Sequence, residues 1–184
     1  MSGILHTLKK NKLKMKKILL ILVAMLGLTA TAQTGFKKSD KFVEGTFSYA
    51  KEKGVDATYG LAPTVGYFVT DKVAVGVQVE TSKTTEGKQF SAGVFGRCYF
   101  LNVGKDFKVF SDLSVKNTNP TVGDSFVTTN LGLGVNYFLT KNLALSANLA
   151  NLAGYNFETE AFNVGFDKVT NPFTTPKFGV LYNF

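Results

Sequence analysis

The chain has 184 residues, 45% of them hydrophobic, with 18 glycines, 4 prolines, one cysteine, one histidine and a formal net charge of +8. One cysteine excludes an intramolecular disulfide, and one histidine leaves little material for a histidine-based catalytic or metal site. The length suits a single domain, with no Pro- or Ser-rich linker to divide it.

The positive charge is concentrated at the start. Lys9, Lys10, Lys12, Lys14, Lys16 and Lys17 precede the apolar run Ile18–Leu28, which is followed by Thr29, Ala30, Thr31, Ala32 and Gln33. A basic segment, a short apolar core and an Ala-x-Ala site are the parts of a secretory signal peptide. The apolar run is 11 residues long, against the roughly 20 that a spanning helix needs. Cleavage is expected after Ala32, and Met15 offers a second start for the same signal. The six signal lysines leave 15 basic against 13 acidic residues, a net charge of +2 for residues 33–184. With no basic cluster after Lys41, nucleic acid is not an expected partner.

After Ala32 the dominant signal has a period of two. Val73, Val75, Val77 and Val79 fall on one face; Ala74, Gly76, Gln78 and Glu80 fall on the other, as in a half-apolar strand. Runs of this kind predict eight strands, near Phe42–Ala50, Thr58–Val69, Val73–Thr81, Gln89–Leu101, Phe107–Val115, Ser125–Leu139, Leu143–Ala153 and Thr174–Phe184. Polar loops are expected at Lys51–Ala57, Lys83–Lys88 and Lys116–Asp124, alternating with short turns such as Thr70–Lys72 and Asn102–Asp106. One segment has two readings. Phe162, Val164 and Phe166 alternate with polar or small residues, either as an early part of the last strand interrupted near Pro172 or as an arm of the fourth loop.

The hairpin Val65–Glu80 returns as Val135–Ala150, with Val65/Val135, Tyr67/Tyr137, Phe68/Phe138, Thr70/Thr140 and Ala74/Ala144 in matching places. Tyr99-Phe100 ends a further strand, and Tyr182-Asn183-Phe184 ends the sequence. Aromatic residues at the same end of alternate strands are expected of interfacial girdles on a transmembrane barrel, where apolar residues face lipid and polar ones face the lumen. Together these features predict an all-β chain, an eight-stranded antiparallel up-and-down transmembrane β-barrel over 33–184 after a signal peptide over 1–32. Cys98, in phase with Val94 and Phe100, is expected to face lipid.

The signal peptide, the eight alternating strands, the Tyr-Phe strand ends and the terminal FGVLYNF resemble the small OmpA/OmpX-type, porin-family barrels of the Gram-negative outer membrane. The resemblance implies residence in the outer membrane, contact with its lipid, and handling by the barrel assembly machinery. That machinery would read Phe178, Val180, Tyr182 and Phe184 on one face of the last strand.

Phase places Glu44, Thr46, Ser48, Gly60, Thr64, Gly66, Gln78, Glu80, Ser91, Gly93, Arg97, Asp112, Ser114, Asn130, Asn136, Asn148 and Asn183 in the lumen. Eight strands leave only enough room for side chains, so Glu44, Glu80, Arg97 and Asp112 are expected to pair with one another as a polar network. The expected role is structural or surface-interacting, with loops carrying any binding. A narrow porin-like channel and a soluble calycin-like carrier of an apolar ligand are the alternatives. No cofactor or metal is expected. Catalysis is not expected either: the one histidine, His6, lies before the signal's apolar core, and Glu158 and Glu160 read as a solvated loop.

Overall fold

The computed structural model describes residues 35–51, 57–84, 87–164 and 177–184. The expected signal peptide, 1–32, lies outside the described residues. Nine strands form: β1 Lys41–Ala50, β2 Thr58–Phe68, β3 Val73–Thr84, β4 Gly87–Val103, β5 Phe107–Pro120, β6 Phe126–Phe138, β7 Leu143–Asn156, β8 Ala161–Val164 and β9 Lys177–Asn183. Consecutive strands from β1 to β7 pair antiparallel, and β9 pairs with both β7 and β1, so the sheet closes on itself. Closure satisfies the backbone groups that an open sheet edge would present to lipid. At the seam, Phe184 and Lys41 exchange two backbone hydrogen bonds, of 2.8 and 3.0 Å.

β8 holds only the start of the segment with two readings; Phe166 and Pro172 lie outside the described residues. β8 pairs with Ala153–Asn156 of β7, on the side of β7 that β9 occupies lower down, and in the same direction as β9. Among the described residues β8 pairs with β7 and not with β1, so the staves that close the barrel are β1 to β7 and β9. Eight staves complete the barrel.

The repeated hairpin makes the same turn twice. Val69 and Thr70 donate their N–H groups to the Val73 carbonyl at 2.9 and 3.2 Å; Leu139 and Thr140 donate theirs to the Leu143 carbonyl at 2.9 and 3.1 Å. In each, the threonine hydroxyl accepts the N–H groups two and three residues on, as small hydroxyl residues do in tight turns.

Two expected loops are shorter than their composition suggests. β3 continues to Thr84 and β4 starts at Gly87, so most of Lys83–Lys88 is paired strand. β5 runs on through Lys116–Pro120, which pair with Gln89–Gly93. Pairing extends past the apolar band because backbone hydrogen bonding needs no apolar side chains. The connections at the two ends of the barrel thus differ less in length than the sequence implies.

The apolar face points outward. Val77, Val94 and Leu113 are 57%, 58% and 55% exposed, with Val65, Val75 and Val79 beside them. On β2 this band runs between Tyr59 and Tyr67, both exposed. Eight residues at about 3.3 Å each, tilted by about 40°, give roughly 20 Å along the barrel axis, close to the height of a lipid-facing band. Cys98 is exposed on the same outer face. This geometry removes the soluble-carrier alternative, which needs Val73, Val75, Val77 and Val79 inside. No described helix is long and apolar enough to cross a membrane; the strands do so instead.

Candidate functional site: the filled lumen

The interior has two layers. On the turn side it is aromatic: Phe42, Phe68, Phe95, Tyr99, Phe110, Phe138 and Leu181 are buried, joined by Phe36 from the segment before β1. The Tyr-Phe strand ends split between the two faces. Phe68 and Phe138 are buried while Tyr67 and Tyr137 are exposed; at the third pair Tyr99 is inside and Phe100 outside. Adjacent strand residues must point in opposite directions, so each pair supplies one ring to the outer girdle and one to the interior. The expected girdle at this end is thus formed by Tyr67, Tyr137 and Phe100, and the other ring of each pair packs inside.

Cross-strand glycines make room for these rings. Phe42 faces Gly66, Phe95 faces Gly76 and Phe110 faces Gly134. A Cβ on Gly66 would come within 2.2 Å of the Phe42 ring, and one on Gly134 within 2.3 Å of the Phe110 ring. Each ring therefore lies flat over the glycine opposite, in the manner of aromatic rescue of sheet glycines.

Arg97 sits at the boundary between the layers, 4% exposed. It faces Asp112 across the β4–β5 pair and binds it through two parallel bonds: Nε donates to Oδ1 at 2.8 Å and Nη2 to Oδ2 at 3.0 Å. Nη1 reaches Glu44 Oε2 of β1 at 2.8 Å, on a carboxylate only 1% exposed. The Ser146 hydroxyl of β7 donates to the other oxygen of Glu44. The guanidinium also lies 4.0 Å from the Phe110 ring centroid, with Phe42 and Phe95 at 5.6 and 5.7 Å, a range in which cation–π attraction operates. One arginine thus ties β1, β4 and β5 together through the lumen, using the planar fork that lysine lacks.

Glu80 does not join this group. Its Oε2 is 3.2 Å from Lys116 Nζ and its Oε1 is 2.5 Å from Lys177 Nζ. The expected single network of Glu44, Glu80, Arg97 and Asp112 is two clusters, with two acids on one base and two bases on one acid. Their charges cancel across the lumen. Lys116 and Lys177 were missed as inward residues, yet each carried a signal: Lys116 is in phase with Asp112 and Ser114, and Lys177 with Asn183. Between the clusters lies a polar cavity of about 280 Å³, also lined by Thr64, Gln78, Asn130 and Asn148. Asn136, fully buried, has neither amide atom hydrogen-bonded. No group of three or more His, Cys, Asp or Glu among the described residues could hold a metal.

The last-strand residues lie outside: Phe178, Val180 and Phe184 are exposed and Tyr182 half-buried. β9 holds them between β1 and β7, so the face expected to be read during assembly is also the face at the closing seam.

This geometry has known counterparts. The N-terminal β-barrel domain of Pseudomonas aeruginosa OprF superposes with a TM-score of 0.58 at 18% identity, covering 80% of this chain and 98% of that one. The fold is that of a small outer-membrane β-barrel. A de novo designed transmembrane β-barrel matches at a TM-score of 0.54 and 15% identity, covering 82% of this chain and all (100%) of the design. Yersinia pestis Ail in a phospholipid bilayer nanodisc matches at 0.50 and 12% identity, over 80% of this chain and 100% of its own. No protein-family pattern matches the sequence, and no curated protein does. At these identities the likeness is one of fold.

Proposed function

We propose that this is a non-catalytic, integral protein of the bacterial outer membrane whose barrel is a closed scaffold, with a structural or surface-interaction role. The observation that carries this reading is the lumen itself. Arg97 is bound from two sides, by Glu44 and Asp112, directly above a layer of seven buried aromatic rings. A path for ions along the axis would have to break a buried ion pair and displace packed rings, each a costly step. The outward aliphatic band and the barrel likeness support membrane residence, and the exposed residues of β9 support recognition by the assembly machinery. With histidine only at His6, the barrel has no imidazole to act as a general base.

The test is conductance. Refolded protein in a planar bilayer should show no steady single-channel current at moderate voltage. Large, stable openings would replace the scaffold reading with the narrow-channel one. Fractionation and heat-modifiable gel migration test residence separately, and release by carbonate wash would contradict it.

A further inference from the structure

The turn-side end of the barrel carries a cluster of cations that the scaffold reading does not use. The segment before β1 is docked over the mouth. Phe36 inserts between Phe68, at a centroid distance of 4.2 Å, Tyr99 at 4.6 Å and Phe138 at 5.2 Å. Hydrogen bonds hold the residues between Phe36 and β1: Ser39 N–H donates to the Phe68 carbonyl at 2.8 Å and Lys38 N–H to Asp71 Oδ1 at 2.7 Å. Asp40 Oδ2 accepts from Lys37 N–H at 2.8 Å and from Asn183 Nδ2 at 3.0 Å.

This docking sets Lys37 and Lys38 beside Lys72, from the β2–β3 turn, and Lys108, from β5. All four line one depression of about 420 Å³ whose floor includes Phe36 and Tyr99. The strap and Lys108 are in close approach: a Cβ on Gly35 would stand 3.3 Å from Lys108 Nζ, and Gly35 takes a φ of +139°, which favours glycine. The one carboxylate lining the depression is Asp71, and it is already engaged by a backbone N–H. Among the described residues none of the four ammonium groups is in an ion pair; Lys108 Nζ donates to the neutral Asn102 Oδ1 at 3.2 Å. Four like charges around one concavity repel one another, and an anion of two or more charges relieves that repulsion while accepting several charge-assisted bonds.

We propose that the docked strap completes a binding site for a multivalent phosphate-type anion from the turn-side aqueous phase. The source is a free anion rather than a bilayer headgroup. The depression lies over the lumen, floored by the inward-facing Tyr99 and by Phe36, whereas lipid meets the outer face at Phe100, Phe107 and Tyr137. Phe36 positions the site without touching the ligand's charge; its ring holds Lys37 and Lys38 in place.

The probe is inorganic pyrophosphate, titrated calorimetrically into the refolded chain in phosphatidylcholine nanodiscs. One saturable site per chain is expected. Lys72→Gln/Lys108→Gln should weaken binding at least tenfold, and Phe36→Ala should weaken it severalfold in protein still shown to be folded by heat-modifiable migration. Lys88→Gln, at the opposite end of the barrel, should change nothing. No saturable binding, equal binding by the double variant, or equal weakening by Lys88→Gln would each overturn the proposal. Nanodiscs with one third phosphatidylglycerol separate the two sources. An unchanged number of pyrophosphate sites supports a free anion; a number falling toward zero means a headgroup fills the site, and the free-anion proposal fails.

Discussion

Removing Arg97 should harm this barrel far more than neutralising either acid it binds. Its guanidinium makes three short contacts, at 2.8, 2.8 and 3.0 Å, with two carboxylates. Arg97→Met keeps the length of the side chain but leaves both acids without their base. Glu44, 1% exposed, then retains only the Ser146 hydroxyl; Asp112, 21% exposed, can recover some hydration from the cavity. Breaking a buried pair by removing one partner costs about 3–5 kcal/mol, and the burial of Glu44 places this case in the upper part of that range. Glu44→Gln or Asp112→Asn instead leaves a neutral one-to-one pair, and each should cost about 1–2 kcal/mol, the scale of a charged hydrogen bond. The triple variant removes the unpaired charges and should recover much of the Arg97→Met loss, a coupling that double-mutant cycles isolate. Urea titration of the folded fraction, read by heat-modifiable migration in vesicles, measures all four. Losses that simply add, or an Arg97→Met loss no larger than that of Asp112→Asn, would refute the triad as a tie across the lumen.

The packing sets three further outcomes. Gly66→Ala should displace the Phe42 ring and cost about 1–3 kcal/mol, the scale of overpacking, whereas alanine at Gly45, which has open space around it, should be nearly neutral in the same titration. Asn136→Leu replaces a fully buried amide without hydrogen bonds by an apolar group of similar size, and should stabilise by about 1–3 kcal/mol; a loss instead would mean that the amide is satisfied in the folded protein. Deleting Phe184 removes a seam residue bonded to Lys41, and pulse-labelled cells should show less assembled barrel with export intact; deleting Val122, 76% exposed between β5 and β6, should do little, and equal assembly would remove the last strand as the signal.

The strands and their faces could be read from the sequence because one rule, side chains alternating every two residues, governs them throughout. Val77 outward and Gln78 inward follow from it without any tertiary information. The partners of the inward charges did not follow in the same way. Arg97 and Asp112 meet because β4 and β5 are adjacent, but Glu44 reaches Arg97 across the lumen, and no periodicity encodes which staves face each other. Glu80 found Lys116 and Lys177 for a related reason. Lys116 sits in a polar stretch that reads as loop, since strand pairing beyond the apolar band leaves no hydrophobic trace. The inner aromatic layer was hidden by the Tyr-Phe pairs, which suggest one girdle although adjacent residues point opposite ways. Phe36, in a segment with no repeat at all, had no sequence signal to find.

The central claim is that the apolar strand face meets lipid while the alternate face lines a filled lumen, and two neighbouring residues test it directly. In a Cys98→Ser background, Val77→Cys and Gln78→Cys would each be labelled with a small environment-sensitive fluorophore and reconstituted into vesicles containing brominated lipid. Strong quenching at position 77 and weak quenching at 78 is the expected result; equal quenching, or the reverse order, would contradict the assignment of the two faces.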